Sequence, residues 1–148
     1  MSIGNLMTDT DPGPSLGNAV ARKTLDLATD GAQGTKTLFT VTGTVLVRLC
    51  AICRENVAGA TGTISVGISG ATAAIIALTT GTDIDAGEIW NDATPTASIE
   101  AASTLAQYII TNGADIIATI ATADLTDGII DFYCFWEALS EDGNVIAP

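Results

Sequence analysis

Thr63-Ile64-Ser65-Val66-Gly67-Ile68-Ser69 alternates between branched apolar and small, mostly polar side chains. Successive side chains of an extended strand point to opposite faces, so Ile64, Val66 and Ile68 share one face and the small residues share the other. This is the pattern of a strand with one face buried. The same pattern recurs on both sides of it. In Thr44 to Arg54 the odd positions Val45, Val47, Leu49, Ala51 and Cys53 are wholly apolar, while the even face mixes Leu46, Cys50 and Ile52 with Arg48 and Arg54. So much apolar surface marks a central strand. In Gly128 to Leu139, Ile130, Phe132, Cys134 and Trp136 form the apolar face, with Asp131, Tyr133 and Glu137 opposite.

Further strands are expected at Thr24 to Ala28, Thr35 to Val41, Ala73 to Thr79, Glu88 to Asn91, Leu105 to Thr111 and Asp115 to Thr122, punctuated by Gly, Asn and Asp. Short Thr-, Val- and Ile-rich stretches at this spacing predict an all-β fold, a β-sandwich or jelly-roll-like domain. Thr111-Asn112-Gly113-Ala114 and Asp127-Gly128 carry hairpin turn signals, which would set the last three strands side by side. The Ala-rich stretch from Thr96 to Gln107 is also compatible with a short helix, Ser98 standing ahead of Glu100-Ala101-Ala102. Residues 1–23, with Asp11-Pro12-Gly13-Pro14-Ser15 at their centre, have neither period and are expected to form an extended N-terminal arm on a β domain spanning 24–148. No repeat of fixed length is evident, which argues against a solenoid or propeller.

A chain of 148 residues, 47% hydrophobic and only 15% charged, is long and apolar enough to fold around one core. Its longest apolar candidate, Ala71 to Leu78, falls well short of the roughly 20 residues of a membrane helix. The first residues lack a basic patch followed by an apolar stretch, so synthesis in a cytoplasm is expected. The net charge is −12, with 17 acidic against 5 basic residues. The five basics, Arg22, Lys23, Lys36, Arg48 and Arg54, all precede Glu55. From Glu55 onward there are 13 carboxylates and no cation. So acidic a chain lacks the counterion-release energy that dominates nucleic-acid binding, and no nucleic-acid partner is expected. The division suggests an N-terminal region turned toward a partner and an acidic remainder turned toward solvent.

Little chemistry can be assembled. There is no His, the commonest general base near neutral pH and the commonest metal ligand. Cys50-Ala51-Ile52-Cys53 has redox or zinc spacing, but positions three apart in a strand face opposite ways, and only Cys134 remains as a further thiol. Reduced structural cysteines are expected. Asp83, Asp85 and Glu88 offer clustered oxygens, weak candidates for calcium whose spacing matches no EF-hand loop. Asp124 and Asp127 bracket a turn with no second convergent group. The glycine-rich turns Gly59-Ala60-Thr61-Gly62 and Gly67 to Gly70 lack the lysine of a phosphate loop. No cofactor is expected, and no set of nucleophile, base and orienting group emerges, so catalysis is not expected. Phe132 and Trp136 belong with the core; Tyr133 and Phe135 are the exposed candidates for a subunit contact.

Lys36-Thr37-Leu38-Phe39-Thr40-Val41-Thr42-Gly43 and the phrase from Gly128-Ile129-Ile130-Asp131-Phe132-Tyr133-Cys134-Phe135-Trp136 to Val145 resemble segments of small β-rich virion proteins of tailed bacteriophages. The chain looks like a capsid decoration or cement protein. The resemblance implies a structural protein on the outer capsid surface, a homotrimer that clamps neighbouring major capsid subunits. Arg22 and Lys23, at the end of the arm, are then expected to pair with carboxylates on the shell, with the arm and one sheet edge docking. The rival is a receptor- or carbohydrate-binding head module of a tail or fibre, using exposed aromatics and calcium at Asp83 and Asp85.

Overall fold

The computed structural model describes residues 19–148. Eleven strands are described: β1 (Ala19–Asp26), β2 (Gly34–Thr42), β3 (Val45–Ala58), β4 (Thr63–Ile68), β5 (Ala71–Thr80), β6 (Glu88–Ile89), β7 (Thr96–Ala97), β8 (Tyr108–Ile110), β9 (Ile116–Ala121), β10 (Asp127–Ala138) and β11 (Asn144–Ile146). They form two antiparallel sheets. One has the order β11-β2-β9-β4-β5; the other runs β1-β10-β3-β6-β7, with β8 also paired to β3. The chain is an all-β sandwich.

The alternation read from the sequence fills the space between the sheets. Val45, Val47, Leu49, Ala51 and Cys53 of β3 are buried, as are Ile130, Phe132 and Cys134 of β10, and they face Leu38, Phe39, Ile64, Val66, Ile116 and Ile120 in the hydrophobic core. β3 is central, flanked by β10 on one side and by β6 and β8 on the other. Trp90, fully buried just after β6, meets the Phe132 ring edge to face at 6.2 Å and 67°.

The turns fall where expected but connect different elements. Asn112 and Gly113 have φ of 58° and 65°, the left-handed pair that an Asn-Gly turn supplies. Yet they join β8 in one sheet to β9 in the other, and the Gly113 N–H donates to the Gly43 carbonyl at 3.0 Å. Asp127-Gly128 likewise opens β10 in the sheet that β9 does not belong to. The last three strands therefore do not lie side by side. Ile110 and Ile116 both need burial, and crossing the sandwich provides it from both sheets at once.

Other boundaries move. β1 begins at Ala19, so the limit expected at 23/24 falls inside a strand; residues 1–18 of the expected arm lie outside the described residues. The expected strand end at Leu27 and Ala28 is one helical turn, Leu27–Asp30, capped by the Asp26 carboxylate, which accepts from the Ala28 N–H at 3.0 Å. Only Tyr108–Ile110 of the stretch from Leu105 to Thr111 is extended, and the helix-compatible region holds a single 3-10 turn, Ala102–Thr104. β11, too short to show a period, completes its sheet by setting Val145 opposite Val41.

Candidate interaction face

The outward face of the sheet β1-β10-β3 gathers what the sequence scatters. Because β10 pairs antiparallel with both neighbours, each of its outward residues lies between two others. Tyr133 sits between Arg22 and Cys50, Phe135 between Val20 and Arg48, and Asp131 between Thr24 and Ile52. Cross-strand neighbours on one face are close enough for long side chains to meet. The Arg22 guanidinium lies 5.9 Å from the centre of the Tyr133 ring, and that of Arg48 lies 5.9 Å from the centre of the Phe135 ring. These are cation–π distances.

Asp131 takes up the third arginine of this face. Arg54 Nε donates to Asp131 Oδ2 at 2.5 Å, and the Thr24 hydroxyl donates to Asp131 Oδ1 at 2.6 Å. The hydrogen bond to Asp131 holds the Arg54 guanidinium further into its charged range. Three of the chain's five cations thus share a face with two aromatic rings, on a protein of net charge −12. Arginine and aromatic residues are the types enriched in protein interfaces.

Of the four residues expected to bind a partner, the structure brings Arg22, Tyr133 and Phe135 together. Lys23 is separated from them: it shares strand parity with the buried Ala21 and Leu25, and its Nζ lies 3.5 Å from the Pro148 carbonyl. Arg48, with no role assigned from the sequence, joins the face. Its position on the even side of β3 was legible; its pairing with Phe135 was not, because register between distant strands is a tertiary property.

The remaining candidates serve the fold. Cys53 and Cys134 are buried free thiols, and Cys50 is half-buried on the outward face, so the two cysteines of Cys50-Ala51-Ile52-Cys53 do point apart. Burial pushes the Cys53 thiol up to about 11 and Cys134 up to about 12, and it also raises Cys50. Glu88 turns back on its own loop, its Oε2 accepting from the Asp85 N–H at 2.7 Å. Among the described residues no group of three or more carboxylates, cysteines or histidines is placed to hold a metal, so Asp83, Asp85 and Glu88 are not brought together as a site. Asp124, in the loop before β10, accepts from the Gln33 N–H at 3.0 Å, and Asp127, the first residue of β10, accepts from the Gly128 N–H at 2.9 Å. Trp136 is half-buried against the core, next to the fully buried Phe132 layer.

Comparison with known proteins yields no match: no family model, no curated protein and no solved structure aligns significantly with the chain. The arginine–aromatic face is therefore interpreted from its own chemistry. It offers delocalised cations resting on half-buried rings, with Asp131 committed to Arg54. Such a surface suits the carboxylates and apolar side chains of another protein.

Proposed function

We propose that this chain is a non-enzymatic structural protein of a virion, a capsid decoration or cement protein of a tailed bacteriophage that binds major capsid subunits as a homo-oligomer on the outer surface of the head. The observation that carries the reading is the outward face of β1-β10-β3, where Arg22 lies over Tyr133 and Arg48 over Phe135 on a strongly acidic chain. The resemblance of the strand phrases to virion proteins supplies the setting, and the sandwich supplies a rigid platform. Decoration needs many modest contacts repeated by symmetry, and an arginine–aromatic face repeated on each copy is suited to that.

In this reading the face, rather than Lys23 or a sheet edge, meets the shell. The test is the copy number of the chain in purified particles, together with binding of the isolated protein to undecorated heads. Near-equal copies of this chain and the major capsid protein, with binding lost in an Arg22→Glu, Tyr133→Ser variant, is the expected result. A handful of copies per particle, or undiminished binding by that variant, overturns it.

A further inference from the structure

The stretch from Glu100 to Leu105 passes over the arginine–aromatic face and encloses a hollow of about 250 Å3 with it. Arg48, Cys50 and Phe135 form its floor, and Ile89, Ala101 and Leu105 its wall. The lining is thus apolar apart from Arg48 and a carboxylate at the rim. Its volume lies below the roughly 300–1,000 Å3 of small-molecule sites and is of the size of one or two side chains.

Arg48 stands out in this hollow. It is half-buried, its guanidinium rests on Phe135, and among the described residues it has neither a carboxylate within ion-pair reach nor a hydrogen-bond acceptor. Arg54, six residues further along β3, is by contrast exposed and paired with Asp131. The less solvated cation is the unpaired one, which inverts the usual order, because removing a charge from water is costly unless it is matched. Nor is there any shortage of carboxylates: the chain has 17. Two carboxylates flank it without pairing: Glu100 at the rim is directed to its own backbone, where Oε1 accepts from the Ala101 N–H at 3.0 Å, and Glu137, two residues beyond Phe135 on the outward face of β10, lies opposite Leu46 and makes no ion pair with Arg48.

We infer that the hollow over Arg48 and Phe135 is an anchor site for an acidic side chain flanked by aliphatic residues on an extended segment of a partner protein. The carboxylate of that segment meets the Arg48 guanidinium, and its aliphatic neighbour packs on Phe135 and Leu105. Charge complementarity selects this occupant: a cationic segment would oppose Arg48, and a purely apolar one would leave the guanidinium unmatched and dehydrated. The inference rests on the reading of this face as a docking surface, and it names what the partner must present. Glu100 acts as a rim charge that weakens capture of another carboxylate.

The test uses two probe peptides, acetyl-Gly-Leu-Glu-Leu-Gly-amide and the same peptide with Gln in place of Glu, titrated into the full chain and followed by 1H–15N NMR, including the arginine Nε–H signals. The expected result is saturable shifts at Arg48 Nε–H and at the amides of Cys50, Leu105 and Phe135 for the Glu peptide, with the Gln peptide about tenfold weaker. Arg48→Gln abolishes the preference for Glu. Glu100→Gln, at the loop rim, tightens binding of the Glu peptide, and it supplies an independent arm should Arg48→Gln fail to fold. Equal binding of both peptides, shifts centred elsewhere, or a Glu100→Gln variant that binds no more tightly overturns the site. Peptide capture by a chain that does not bind capsids would keep the site and remove the virion reading. Capsid binding unaffected by Arg48→Gln would do the reverse.

Discussion

The indole N–H of Trp90 donates to the hydroxyl of Thr79 at 2.8 Å, tying the segment after β6 in one sheet to the C-terminal end of β5 in the other. Both residues are buried. The Thr79 hydroxyl in turn donates to the Ala77 carbonyl at 2.9 Å, so the bond is one link of a short chain through the core.

Thr79→Val keeps the shape and removes the acceptor. It strands a buried indole donor and should cost about 2 kcal/mol, a fall of about 6 °C in Tm for a chain of this length. Urea unfolding followed by tryptophan fluorescence measures it. An unchanged midpoint would mean that Trp90 finds another acceptor.

Phe132 and Phe135 are three residues apart on β10 and belong to different worlds. Phe132 is fully buried, and Phe135 is half-exposed under Arg48. Phe132→Ala should lose about 3–5 kcal/mol of stability, whereas Phe135→Ala should lose about 1 kcal/mol or less while weakening partner binding. Comparable losses from the two substitutions would show the face to be part of the core.

Gly31 follows the single helical turn with an ordinary φ of −77°, so its need for glycine is spatial. A Cβ there would stand 1.8 Å from the Leu125 carbonyl oxygen, and the Gly31 carbonyl accepts the Leu125 N–H at 2.8 Å. Gly31→Ala should destabilise the protein by about 3 kcal/mol, read as a drop in the urea midpoint at unchanged m-value.

The cysteines predict both reactivity and a pH dependence. At pH 8 a thiol reagent should modify Cys50 slowly and reach Cys53 and Cys134 only on unfolding, since burial holds these two near 11 and 12. Their pKa values are raised on folding from 9.0, so their contribution to stability is complete below about pH 9. Above it the unfolded chain releases protons that the native state retains, and the contribution is lost as pH rises toward 11 and 12. Urea midpoints at pH 8 and pH 10.5 should fall more steeply for the native sequence than for a Cys53→Ala, Cys134→Ala variant.

Much of this molecule is legible in its sequence, because burial of one strand face is written residue by residue. The period of two in Thr63–Ser69, Thr44–Arg54 and Gly128–Leu139 was enough to assign β4, β3 and β10, to make β3 central and to separate Phe132 from Tyr133. The same parity predicted that Cys50 and Cys53 diverge. Asn112-Gly113 was legible as a turn, since both residues adopt the left-handed conformation cheaply.

Which strands meet was decided only by the tertiary structure. A turn specifies a local reversal, but whether the chain returns beside the same strand or crosses to the facing sheet depends on where Ile110 and Ile116 find apolar partners. The candidate site has the same origin. Arg22, Arg48, Tyr133 and Phe135 span more than a hundred positions, and their meeting depends on the register by which β10 joins β1 to β3. Strand parity told which side each residue faces; only long-range pairing told which residues it faces there.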